Sequence, residues 1–293
     1  MTGVIRRTDR TIIRMFGRDP LKMVQGLATN DIAGAPENEA VYTAFLTAKG
    51  KLIGDARVLR RPNGDVWIEA DRGAAANIVA NLKKFVPPLF ARFELLEIMV
   101  VVGLYGARAG EIAHGLPLEA VLSNPFRPDA LDLILTAELG ENAERAALQA
   151  GAQRIGFEDL EVMRIEAGEP QWGAELTEDV IPLEAGLRQV AISETKGCYT
   201  GQEIIIRILH RGHVNRHLRG IMTGSHEVPA IGAELVRTED NRPVGRVTSA
   251  CASARLGQAI ALAYVRREIE PQTVLKLGGQ EVTVVELPFR PEP

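Results

Sequence analysis

The chain has 293 residues, 46% of them apolar and 25% charged, which is ordinary for a globular protein and excludes a disordered, collagen-like or coiled-coil chain. With 34 basic against 38 acidic residues the net charge is −4, so the chain as a whole has no general attraction to polyanions. No apolar run approaches the ~20 residues of a membrane span, and no signal-peptide core follows Arg6-Arg7. Two cysteines, Cys198 and Cys251, build no disulfide framework, so a cytoplasmic protein without membrane contact is expected.

In chain order, the first forty residues read as turns and helix. Asp19 can cap a helix that opens on Pro20 and brings Leu21, Val24 and Leu27 near one face. Residues 41–46 and 52–60 read as a hairpin around Ala48-Lys49-Gly50-Lys51, and 66–70 as a third strand after a turn at 61–65. Ala74, Ile78, Leu82 and Phe85 recur at helical spacing until Pro87-Pro88. Strand signals over 93–104, helices over 107–114 and 141–150 and a strand over 131–136 complete an α+β pattern. Beyond about Arg219, short β-rich pieces separated by turns, including Leu277-Gly278-Gly279-Gln280, predict a small antiparallel barrel or sandwich.

Charge is unevenly placed. Residues 158–184 hold nine acids and a single base, Arg164, whereas 207–219 hold four arginines, three histidines and no acid. Glu175, Glu178 and Asp179 read as turn chemistry and surface charge. The basic stretch admits several readings: an anion site using Arg207 and Arg211, a metal site of His210, His213 and His217, a nucleic-acid contact, or a solvated loop. Gly212 and Val214 speak against a helix there, little aromatic interleaving speaks against nucleic acid, and no metal site is expected.

The most unusual segment is Lys196-Gly197-Cys198-Tyr199-Thr200-Gly201-Gln202-Glu203. Its glycines predict a sharp turn with exposed amides, and Lys196 could favour the Cys198 thiolate; the alternative is a buried cysteine in a tight turn. Cys251, among small residues, reads as packing.

This octapeptide resembles the K-G-C-Y-x-G-Q-E signature of the YgfZ family, folate-binding relatives of the glycine-cleavage T-protein, an aminomethyltransferase. The resemblance extends to Gly17, Gln25-Gly26-Leu27, Thr29-Asn30-Asp31, the stretch from Ala44 to Lys51, Arg164-Ile165-Glu166-Ala167-Gly168 and Pro182-Leu183-Glu184-Ala185-Gly186-Leu187. It implies an α+β fold: a T-protein-like folate-binding region over 1–213 around a central cavity, then an antiparallel β-barrel over 214–293. It further implies tetrahydrofolate as cofactor and iron–sulfur client enzymes, tRNA-modifying ones included, as partners. Cys198 and Lys196 become the candidate catalytic residues, with Gly197, Tyr199, Gly201, Gln202 and Glu203 completing the motif. Tyr42, Asp55 and Arg57 become candidate folate contacts, and Arg207 and Arg211 candidates for a glutamate or polyglutamate tail. The T-protein's aspartate pair aligns with Gly54 and Asp55, so one carboxylate is missing, and a pterin-side arginine aligns with Leu160. An accessory or regulatory role is therefore expected over aminomethyl transfer, with a folate-dependent one-carbon transferase or demethylase as the alternative.

Overall fold

Residues 2–290 are described by a computed structural model. They fall into two compact units that interleave along the chain. The first runs through Gly156 and adds Thr177–Asp179 and Leu187–Ile205; the second takes Phe157–Leu176, Val180–Gly186 and the chain from Ile206 onward.

In the first unit the elements are β1 (Gly3–Arg6), β2 (Arg10–Phe16), α1 (Pro20–Gln25), β3 (Val41–Leu46), β4 (Leu52–Arg60), β5 (Val66–Asp71), α2 (Arg72–Phe85), β6 (Arg92–Leu95), β7 (Met99–Tyr105), α3 (Ala109–His114), β8 (Ala120–Ser123), β9 (Ala130–Thr136), α4 (Ala137–Gln149) and β10 (Gln153–Arg154). Two five-stranded sheets form, ordered β3-β4-β5-β2-β6 and β10-β1-β7-β9-β8. Ile12, Leu59 and Trp67 of one sheet pack with Val101, Ala120, Leu122 and Ile134 of the other. Side chains alternate along a strand, so β4 sends Asp55, Arg57 and Leu59 toward this inter-sheet layer. Gly54 lies on the opposite face, where a Cβ would sit 3.0 Å from Ile78 and 3.1 Å from Ala74 of α2. Asp19 caps α1 by accepting from the Lys22 amide, and Pro20 takes its first turn, as the sequence predicts.

The N-terminal reading needs correction: Gly3–Arg6 and Arg10–Phe16 are strands. Their apolar alternation is masked because Arg10 and Arg14 stand on the inter-sheet face of β2, neutralised by Glu69 and Asp65.

The second unit begins with α5 (Phe157–Glu166); after it in the chain, α6 (Arg188–Ala191) belongs to the first unit and α7 (Gln202–Arg211) crosses the boundary. Then come β11 (Arg216–Met222), β12 (Glu234–Arg237), β13 (Pro243–Ser253), β14 (Gln258–Arg266), β15 (Val274–Leu277) and β16 (Gln280–Val285), closed into an antiparallel barrel in the order β11-β14-β13-β12-β15-β16. Its interior holds Ile221, Leu235, Val247, Ala261, Ala263, Leu275, Val282 and Val284. The barrel strands begin at Arg216, and the compact unit that holds them also includes 157–176, 180–186 and the chain from Ile206.

The basic stretch is helical through Arg211, because Ile204, Ile205, Ile206, Ile208 and Leu209 give α7 a partly buried apolar face. Glu175 is fully buried, not a surface charge. A register shift in β13 between Val247 and Ser249 turns Thr248 and Ser249 toward it, and both hydroxyls donate to Glu175 at 2.7 and 2.6 Å. Arg164 completes the clasp at 3.0 Å.

Candidate functional site

Segments far apart in sequence meet around the cysteine octapeptide in the first unit. Lys196 Nζ donates to the carbonyls of Gln25 (2.7 Å), Ala28 (2.7 Å) and Asn30 (2.9 Å), one acceptor for each N–H. Burial draws this ammonium's pKa down to about 8, opposed by Asp31, so it stays charged at neutral pH. The clamped loop is also sewn to β3 and α6: Thr29 Oγ1 donates to the Ala191 carbonyl, and Asn30 Nδ2 to those of Tyr42 and Val190. The Asn30 amide donates to Thr43 Oγ1. Lys196 therefore acts on the loop 25–30, a different task from activating the neighbouring thiol.

Gly201 and Gly50 let the motif close on the β3–β4 turn. Gly201 has φ +85°, and a Cβ there would lie 2.6 Å from the Thr47 carbonyl oxygen. Gly50 has φ +73°, and its Cβ would lie 2.8 Å from Ile204 Cγ2. Only glycine meets both demands without strain. Gly197 is exposed with open space around it. Tyr199 is buried, its hydroxyl has no hydrogen-bond partner among the described residues, and burial pushes its pKa to about 12. Gln202 opens α7, Glu203 is exposed, and Cys198 presents its thiol to solvent. Cys251 is buried in β13, and burial pushes its thiol to about 11, in keeping with a packing role.

Tyr42 and Asp55 form a second part of the site on adjacent strands. In the β3–β4 register Tyr42 stands opposite Arg57 and Ala44 opposite Asp55, so all four side chains share one face. The Tyr42 hydroxyl donates to Asp55 Oδ2 at 3.0 Å, and the Tyr42 ring meets Phe126 edge-on at 5.8 Å. Asp55 Oδ1 is buried and has no partner among the described residues. Burial raises the Asp55 pKa, while Arg10 and the Tyr42 hydroxyl oppose the rise.

Arg57 is committed elsewhere. It donates to Glu69 at 2.8 Å and Asp132 at 2.6 Å, and all three are buried. Arg10 pairs with Glu69 at 2.5 Å; the Tyr105 hydroxyl donates to Asp132 at 2.7 Å and receives Arg7 at 2.8 Å. This array joins the two sheets and borders Asp55 through Arg10. Sequence reasoning misses Arg10, Glu69 and Asp132; the legible signal is opposite charges at strand positions two apart from apolar core residues.

Arg207 and Arg211 lie one turn apart on α7, both exposed and with no acid partner among the described residues. The described residues contain no cluster of three or more histidine, cysteine or carboxylate side chains suited to a metal. They contain no helix long and apolar enough to cross a membrane.

Residues 216–289 match the family described as the glycine cleavage T-protein C-terminal barrel domain. The fold is that of a glycine cleavage system aminomethyltransferase T from Bartonella henselae: TM-score 0.86 at 19% identity, covering 99% of this chain and 86% of that one. A "tRNA-modifying protein YgfZ" of Klebsiella pneumoniae is 29% identical over 92% of this chain and 86% of its own. The protein of the same name from Yersinia pestis (strain Pestoides F) is 31% identical over 84% of this chain and 79% of its own. With the octapeptide, the clamped loop and the T-protein fold in one chain, this similarity has a single consequence: the chain belongs to the YgfZ family.

Proposed function

We propose that this protein binds tetrahydrofolate against the Tyr42–Asp55 wall and serves, in the cytoplasm, as an accessory to the assembly or repair of iron–sulfur enzymes, tRNA-modifying ones among them. The observation that carries the folate reading is Asp55 Oδ1, a buried acceptor with no partner beside a tyrosine hydroxyl. A lone buried acceptor costs about 1–3 kcal/mol, which a ligand presenting N–H groups relieves. A reduced pterin is a flat, donor-rich ring of this kind, and bound folate would supply a one-carbon carrier. Arg57 supports the wall through Glu69 and Asp132, and Arg207 and Arg211, exposed on α7, suit an anion.

Aminomethyl transfer is not part of the proposal. Gly54, the neighbour of Asp55, faces α2, so β4 brings one carboxylate to the site. Loss of a positioned acid or base removes roughly 100- to 10,000-fold in rate. Cys198, exposed on a clamped and glycine-closed turn, is the group offered to client proteins through thiol chemistry. The test is ligand-induced thermal stabilisation: reduced folate should raise the melting temperature of the wild type and leave Asp55→Asn unchanged. No rise in the wild type at ligand concentrations of about 1 mM contradicts the folate reading.

A further inference from the structure

We propose that two copies of this chain pair through β6, extending the β3-β4-β5-β2-β6 sheet across a two-fold axis, with Phe93 opposite Phe93 and Arg92 of each copy opposite Glu94 of the other. Among the described residues β6 is the terminal strand of its sheet, and its residues Arg92, Glu94 and Leu95 are exposed.

The hydrogen-bond phase selects the centre. The Leu96 amide donates to the Ile12 carbonyl at 2.9 Å, in register with Arg14 opposite Glu94 and Phe16 opposite Arg92. Antiparallel pairs alternate, so the backbone groups of Arg92 and Glu94 face β2 while those of Phe93 and Leu95 face outward. A two-fold centred on Phe93 lets each Phe93 exchange both N–H···O bonds with its copy. The flanking positions then become Arg92–Glu94 on both sides, and opposite charges directly across a strand pair are stabilising. Centring on Arg92 or Glu94 would set like charges face to face, and centring on Leu95 would set Phe93 opposite Glu97.

Charge already points across this edge. Arg14 pairs with Asp65 at 2.7 Å and with Glu94 at 3.0 Å, so the row ends on a carboxylate 48% exposed. Arg92 has no acid partner among the described residues, and a second copy would complete the row. Leu95, on the strand itself and 49% exposed, and Leu89, three residues before the strand begins and 74% exposed, supply apolar surface. Another protein's strand would need an unrelated sequence to meet this pattern; an antiparallel copy of Arg-Phe-Glu meets it by symmetry.

Sedimentation equilibrium of the full chain at low salt, from about 5 to about 300 µM, reads the association. The wild type should follow a monomer–dimer equilibrium weakened by salt. Arg92→Glu alone and Glu94→Lys alone should each weaken the dimer at least about tenfold, since each self-pairing now sets like charges opposite. An equimolar mixture of the two variants should dimerise again. The carboxylate introduced at position 92 of one variant then faces the ammonium introduced at position 94 of the other, and the unchanged Arg92 faces the unchanged Glu94. Melting curves check that both variants fold. A wild type that stays monomeric overturns the proposal and leaves the edge to another protein's strand. So do variants that associate like the wild type, or a mixture that remains monomeric.

Discussion

At Gly201 a positive φ and the Thr47 carbonyl oxygen, 2.6 Å from where a Cβ would sit, impose two separate penalties on any side chain. Gly201→Ala should therefore lose at least about 2 kcal/mol in urea unfolding, more than the ~1 kcal/mol of a strained dihedral alone. At Lys196 one ammonium satisfies three main-chain carbonyls, so Lys196→Met should cost about 1–3 kcal/mol and loosen the loop 25–30 in hydrogen exchange. Cys198 contrasts with both. Its side chain is exposed, so Cys198→Ser should leave unfolding unchanged while lowering iron–sulfur client activity in a complementation assay, whereas Cys251→Ser should complement. Full complementation by Cys198→Ser would assign the motif's work to its backbone.

Between the sheets, β2, β4, β5 and β9 each contribute one member of the array of Arg10, Arg57, Glu69 and Asp132. Burial alone would raise the Glu69 pKa, but Arg10 and Arg57 hold it down to about 2, against 4.5 for an unperturbed glutamate. A depressed folded-state pKa means that Glu69 contributes stability above pH 4.5 and loses it as pH falls toward 2. Acid unfolding followed by circular dichroism should show that loss, and Glu69→Gln should flatten it. Glu69→Gln should also destabilise at pH 7 by about 3–5 kcal/mol, since Arg10 and Arg57 stay buried without their carboxylate. The same array limits what the sequence discloses. The hairpin 41–60 follows from its strand and turn residues, and helix α2 from its apolar period, of which Ala74, Ile78 and Leu82 are buried while Phe85 is exposed. β2 does not follow in this way, because arginines stand where the buried face calls for apolar side chains. α7 is hidden likewise, since Arg207 and His210 interrupt its apolar run and Gly212 follows at once. Glu175 reads as surface charge because its partners Thr248 and Ser249 are brought in by a strand irregularity more than seventy residues away.

Across the whole chain, a T-protein fold persists at 19% identity, and a fold by itself does not dictate a reaction. The site is assembled from pieces that sequence motifs mark one by one: the loop 25–31, the turn 47–50, strands β3 and β4, and the octapeptide. Motifs name these pieces, but their joints are backbone carbonyls, which carry no residue signature; that is why the Lys196 clamp is legible only in the folded chain. Isothermal titration of tetrahydrofolate into the wild type and Asp55→Asn, both shown by melting curves to be folded, tests whether Asp55 holds a reduced folate. Affinity should also fall as acid neutralises Asp55, whose ionised form accepts the ligand's N–H groups. Binding to the wild type should be saturable and Asp55→Asn should lose at least about tenfold in affinity; equal affinity in the two proteins would rule out folate binding at Asp55.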